Sequence, residues 1–148
     1  MSTSKRKRGK KYFSAAEANA TLPLLRSIVK DVTDLAVSLR DRRERITRLG
    51  GGDRGTLGDA YREELQTLQQ DLDRAEDQMK EYVQELQALG VELKDYYTGL
   101  IDFPAWLNGH EVYLCWRLGE PAVAHWHELD AGFAGRQKLK AEQVHSSN

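Results

Sequence analysis

The sequence predicts an α+β protein, a long antiparallel two-helix coiled-coil hairpin followed by a small antiparallel β-meander. Three observations carry that expectation. Apolar residues recur on a seven-residue repeat as far as Leu89, and the period falls to two after Gly90. An Asn108-Gly109 pair then marks a two-residue hairpin turn between alternating apolar runs.

Taken in order, residues 1–11 carry Lys5, Arg6, Lys7, Arg8, Lys10 and Lys11 with no acid among them. Nothing there offsets ordering entropy by burial, so a disordered basic tail is expected. Ser14-Ala15-Ala16-Glu17 is a capping box, with Phe13 placed as its apolar staple. Pro23 predicts a kink, or a helix that restarts after Thr21. The seam runs through Leu25, Ile28, Val32, Leu35, Leu39, Ile46 and Leu49, broken by Arg42. Gly50, Gly51, Gly52, Gly55 and Gly58 end the helix in a flexible turn. From about Asp59 the repeat resumes through Leu65, Leu68, Leu72, Ala75, Met79, Tyr82, Leu86 and Leu89. Each helix should be about 30 residues, or roughly 45 Å. Two helices alone bury too little, so the hairpin is expected to pack on the C-terminal part, on a second copy as a homodimer, or on both.

Strands are expected at residues 91–95, 100–106, 110–117 and 122–128. Pro104 requires one side of its strand to be unpaired there. The Asn108-Gly109 turn fixes the register between the second and third strands. Leu107 faces His110, Ala105 faces Val112, Phe103 faces Leu114 and Ile101 faces Trp116, an apolar face that belongs against the helices. On the other face Asp102 lies opposite Cys115, Pro104 opposite Tyr113 and Leu100 opposite Arg117. A three-residue loop at Gly119-Glu120-Pro121 would set Trp126 opposite Leu114, His125 beside Cys115 and His127 beside Tyr113. A two- or four-residue loop would throw Trp126 to the opposite side, and the hydrophobic pattern favours the first register.

The chemistry-bearing residues crowd between Asp102 and Arg136: all three tryptophans, the one cysteine, and three of the four histidines (His110, His125, His127). In the favoured register Asp102, Cys115 and His125 form one row, roughly 5 Å apart at each step. Such a row can ligate a divalent transition metal, with His127, Glu128 or His110 completing the shell. It can also make an activated thiolate with His125 as base, or leave Cys115 as a structural strand residue. His-Trp-His-Glu lacks the helical spacing of a metalloprotease motif. Arg136, after two glycines three apart, can clamp a small anion or pair with Glu120, Glu128 or Asp130.

Composition bounds the rest. Removing the six tail cations from 22 basic residues leaves 16 against 23 acids, so the body is acidic and presents no nucleic-acid-binding face. The tail offers only weak, non-specific attraction to nucleic acid. One cysteine makes no internal disulfide, and no apolar run approaches the roughly 20 residues of a membrane span. A cytoplasmic location is expected, with no membrane partner. The chain should be one domain over residues 12–139, the hairpin at 12–90 and the sheet and loop at 91–139, with a flexible tail at 140–148.

Phe13-Ser14, Glu17-Ala18-Asn19, Leu22-Pro23, Lys94-Asp95, Gly99-Leu100, Asp102-Phe103-Pro104 and residues 114–120 (Leu-Cys-Trp-Arg-Leu-Gly-Glu) stand together with Trp126-His127-Glu128 and residues 132–136 (Gly-Phe-Ala-Gly-Arg). On these residues the chain resembles, over about 12–139, a bacterial family known as domain of unknown function twenty-two-zero-three. The resemblance implies no established activity. It does point to Asp102, Cys115, Arg117, Glu120, His127, Glu128 and Arg136 as the first residues to examine. His125 departs from the aromatic residue associated with that position in the family, and Lys138 from a proline.

Two functional expectations follow. The first is a non-catalytic interaction or regulatory module that dimerises through its hairpin or captures a protein partner. The second is a metal- or small-anion-binding protein using the polar sheet face, with Asp102, Cys115, His125, His127 and Glu128 as metal candidates and Arg117, Glu120 and Arg136 as anion candidates. An enzyme is the less supported class.

Overall fold

The computed structural model describes residues 8–50 and 58–144. The glycine turn read at Gly51, Gly52 and Gly55, the start of the basic segment and the last four residues lie outside the described residues. The chain forms α1 (Ala15–Gly50), α2 (Asp59–Ala88), β1 (Glu92–Asp95), β2 (Leu100–Leu107), β3 (His110–Arg117) and β4 (His125–Glu128). A one-turn 3-10 segment (Phe133–Gly135), β5 (Gln137–Lys138) and the one-turn α3 (Ala141–Val144) follow. It is an α+β arrangement, two long helices and then a five-stranded antiparallel sheet in the order β1-β2-β3-β4-β5.

The capping box forms reciprocally. The Glu17 amide donates to Ser14 Oγ at 3.0 Å and the Ser14 amide to Glu17 Oε1 at 3.0 Å, and these bonds hold the Glu17 carboxyl below its usual range. Phe13 goes into the core, edge-on to Phe103 at 5.1 Å between ring centroids. Of the two outcomes expected at Pro23, a kink or a restart, the restart does not occur: α1 runs continuously through it. An interior proline costs a helix about 3 kcal/mol. Leu22 and Leu25, buried on either side, and Asn19, whose side chain brackets Val123 (Val123 N to Oδ1 2.8 Å, Nδ2 to Val123 O 3.1 Å), anchor the segment regardless.

The helices run antiparallel. Tyr61 donates to the Leu49 carbonyl at 2.7 Å, Arg45 meets Glu64 at 3.5 Å, and Arg43 meets Glu76 at 3.8 Å. Burial along them is uneven: among the described residues, nothing in α1 beyond Leu39 and nothing in α2 before Leu72 is buried. The core instead lies where the helices meet one face of the sheet. There Leu25, Val29, Val32 and Leu86 join Ile101, Phe103, Leu114 and Trp116, each at most 1% exposed.

The β2–β3 register matches the sequence reading pair for pair, from Leu107↔His110 to Leu100↔Arg117. Asn108 (φ 52°) and Gly109 (φ 83°) both take the left-handed backbone that a type I′ turn demands. The β3–β4 register also follows the favoured alternative, with Leu114↔Trp126, Tyr113↔His127 and Cys115↔His125. β4 begins at His125, later than expected. Residues 121–123 are held on α1 instead, by Asn19 and by Arg26, which donates to the Pro121 carbonyl at 2.6 Å.

Past the end of β1, the Pro104 side of β2 is covered by the segment before α1. The Phe13 amide donates to the Pro104 carbonyl at 2.7 Å, Tyr12 packs edge-on to Trp106, and Lys10 meets Glu111 Oε2 at 2.7 Å. Pro104 is thus tolerated inside an eight-residue strand because its missing donor faces no ladder partner.

Candidate metal centre

Alternation along a strand sends successive side chains to opposite faces of the sheet. One row crosses all five strands on the face turned away from the helices: Glu92, Asp102, Cys115, His125 and Lys138. The neighbouring row holds Pro104, Tyr113 and His127. At the centre of this face Asp102, Cys115 and His127 are 3%, 0% and 2% exposed, as enclosed as the apolar core on the other side.

These three side chains converge. A ring nitrogen, a sulfur and a carboxylate oxygen, one from each, lie within 4.8 Å of one another. His127 reaches diagonally across from its Tyr113 partner, its ring tilted 49° to the tyrosine at 5.5 Å. Its Nδ1 lies 2.7 Å from the Glu128 carbonyl oxygen, which can only accept, so Nδ1 carries a proton. Its Nε2 sits 3.1 Å from each of the two carboxylate oxygens of Asp102. The Cys115 sulfur lies beside the same carboxylate.

Burial dominates the electrostatics. It pushes the Asp102 carboxyl up despite the counteracting charge and hydrogen bond of His127. Burial, with the Asp102 charge beside it, pushes the Cys115 thiol up to about 12. The activated-thiolate reading loses support, because burial disfavours the thiolate and the His125 ring, its expected base, turns to Arg136.

The expected ligand set is therefore only partly brought together. Asp102, Cys115 and His127 meet, whereas His125 and Glu128 go elsewhere. His125 is the Cα neighbour of Cys115, but its ring turns to Arg136, whose Nη2 donates to His125 Nδ1 at 2.9 Å. Burial and then the Arg136 charge lower the His125 pKa, so it is a neutral acceptor. Glu128 projects from the helix-facing side, in the parity of Trp126. There its carboxylate takes His110 Nε2 at 2.9 and 3.1 Å, on a rim where both residues are well exposed. Strand parity keeps Glu128 and His110 on the wrong side of the sheet for the cluster. What Glu128 gives the centre is its backbone carbonyl.

The three anion candidates form an ion-paired corner beside the cluster. Glu120 Oε1 accepts from Arg136 Nη2 at 2.8 Å and from the Arg117 amide at 2.7 Å. Burial raises the Glu120 pKa, but the hydrogen bonds from Arg136 and Arg117 outweigh it and hold the carboxyl low. The Arg117 and Arg136 guanidinium groups lie 5.0 and 4.7 Å from the Phe133 ring centroid. Arg136 is thus spent on internal partners, although its enclosed Nε has none among the described residues. Sequence reasoning did not single out Tyr113 or Glu92 as polar partners on this face. The Tyr113 hydroxyl donates to Glu92 Oε1 at 3.1 Å, and Lys94 Nζ reaches the same oxygen at 2.9 Å. Strand alternation would have placed both on that face.

No curated protein and no solved structure matches the chain. One family does, described as an uncharacterised conserved protein (DUF2203), over residues 11–139. That span takes in both helices, all five strands and every member of the buried cluster, so the chain belongs to the DUF2203 family.

Proposed function

We propose that this chain is a metal-binding protein that holds one divalent transition-metal ion through Asp102, Cys115 and His127. The observation that carries the reading is the orientation of His127. With Nδ1 committed to a backbone carbonyl, the other nitrogen turns its lone pair towards two carboxylate oxygens in a site closed to water. Lone pairs aimed at one another need a cation between them, either a shared proton or a metal. A backbone carbonyl fixing the remote nitrogen is the usual support of a metal-ligating histidine.

The donor set fits. Imidazole nitrogen, thiolate sulfur and carboxylate oxygen are the ligands of zinc and its neighbours, and tetrahedral binding at about 2.0–2.3 Å sets donors roughly 3.3–3.8 Å apart. An aspartate and a thiolate neutralise a dication, which makes burial of the charge tolerable. Three protein donors leave one position of a tetrahedral ion unfilled by these side chains. Cobalt(II) titration tests the reading. One equivalent should produce a thiolate-to-cobalt charge-transfer absorption that disappears in Cys115→Ala. A featureless spectrum would mean that the cation between His127 and Asp102 is a proton and the cluster is structural.

A second reading, a homodimer through the hairpin, is favoured by the burial gradient along the helices. Residues 40–50 of α1 and 59–71 of α2 contain no buried side chain. Across 40–48 Arg40, Arg42, Arg43, Arg45 and Arg48 outnumber Asp41 and Glu44, whereas Asp59, Glu63, Glu64 and Asp71 against Arg62 make the facing arm acidic. Antiparallel pairing of two hairpins would set the basic arm of one copy against the acidic arm of the other.

A further inference from the structure

A second site lies on the helices, away from the metal centre. The α1–α2 seam is incomplete beside the β1–β2 turn. Ala36, a small residue, faces this region with Leu39 and Met79, and the gap is a pocket of about 320 Å³. That volume is in the range of small-molecule sites. All three floor residues are at most 8% exposed, so the floor is apolar and built into the core. Tyr96 and Tyr97 stand at the wall, and Arg43 and Lys80 at the rim.

The wall is held rigid. Asp95 Oδ1 accepts from the Tyr97 amide at 2.8 Å and the Thr98 amide at 3.1 Å, which closes the turn on itself. Gly99 (φ 70°) seats the turn on α1 so closely that a Cβ there would fall 2.7 Å from Val29 Cγ1 and 2.8 Å from Leu118 Cβ. The two tyrosines are nonetheless 43% and 52% exposed. The fold therefore fixes their backbone while leaving their rings available.

The charge around the rings is positive. Arg40 lies 5.7 Å from the Tyr97 ring centroid, and an adjoining groove lined by Arg40, Arg43 and Arg48 shares Tyr97 with the pocket. Lys80 has no ion pair among the described residues. Glu76 and Glu44 offset only part of this, with Glu76 meeting Arg43 at 3.8 Å. An apolar floor, a tyrosine wall and a cationic rim complement a flat ring that carries an anionic group.

We propose that this pocket binds a small planar anion, an aromatic or heteroaromatic ring bearing a carboxylate or a phosphate. The ring lies on Ala36, Leu39 and Met79 against Tyr97, and the anion meets Lys80 and Arg43. The site does not depend on the metal centre, and its test reads binding whether or not metal is loaded.

Isothermal titration of the full chain with benzoate and, separately, phenyl phosphate tests it. At least one probe should bind saturably with Kd of about 0.1–1 mM, the range open to a ligand of this size. Tyr97→Ala and Lys80→Gln should each weaken that probe by about 10-fold, with circular dichroism unchanged because both side chains are on the surface. Tyr97→Phe, which keeps the ring, should bind as the parent does. Whichever probe binds tells whether the anion is a carboxylate or a phosphate. No saturable heat with either probe at about 10 mM, or binding that survives either substitution at full strength, overturns the proposal.

Discussion

Two histidines, two residues apart on one strand and on one face, have opposite surroundings. His125 accepts a hydrogen bond from a guanidinium, so it is neutral and has no lone pair left on Nδ1. His127 donates from Nδ1 to its neighbour's carbonyl and directs Nε2 at Asp102 and Cys115. The Asn108-Gly109 turn places Asp102 and Cys115 on one face, and the histidines join them only in the register that a three-residue loop at Gly119-Glu120-Pro121 sets, the one the hydrophobic pattern favours and the structure has. The sequence does not say which histidine bends diagonally, because that depends on side-chain rotation and on where Arg136 lands after the loop. Arg136 itself makes a prediction at this scale. The Glu120 pKa is lowered in the folded state by the Arg136 and Arg117 hydrogen bonds, against the opposing effect of burial. A carboxyl depressed below its ordinary 4.5 contributes stability above that pH and loses it as pH falls through the lower folded value. Glu120→Gln should therefore cost about 1–3 kcal/mol at neutral pH. In urea unfolding at a series of pH values the gap to the parent should narrow below 4.5, and a gap independent of pH would contradict the assignment.

Elements whose pattern is periodic are legible, and elements that depend on a long-range contact are not. The helices and the first four strands follow from repeats of seven and two, and the turn at Asn108-Gly109 from its backbone demands. β5 is two residues long and owes its existence to β4, too short to carry a period of its own. The late start of β4 and the unbroken passage of α1 through Pro23 share a cause, the clamp of Asn19 on Val123, which couples residues far apart in the chain. The β1–β2 turn offers the element-scale test. Gly99→Ala places a Cβ 2.7 Å from Val29 Cγ1 in a left-handed backbone, so it should destabilise by about 2–4 kcal/mol and lower the thermal midpoint. Gly109→Ala, also at positive φ but with nothing within 4 Å, should lose less. Equal losses would mean that the close seating of the turn on α1 is immaterial.

At the scale of the molecule, the sheet organises both ends of the structure. Its apolar face draws the near halves of α1 and α2 into one core, and its opposite face closes over the Asp102–Cys115–His127 cluster. The far ends of the helices, residues 40–50 and 59–71, are left with complementary charges and no buried side chains. If two copies pair there, sedimentation should show a dimer that dissociates as salt is raised, since the Debye length shortens from about 10 Å at 0.1 M to 3 Å at 1 M. Arg42→Glu with Arg45→Glu should yield a monomer at all salt concentrations, and a parent that sediments as a monomer at low salt would sink this reading. The cluster on the sheet carries the larger claim, and metal content tests it most directly. The full chain, purified without an affinity tag or chelator, should contain about one transition-metal ion per chain by mass spectrometry. That metal should be lost in Asp102→Asn, Cys115→Ala and His127→Ala and retained in His125→Ala. A metal-free parent that also fails to take up zinc or cobalt, or a metal retained when His127 is replaced, would contradict the account.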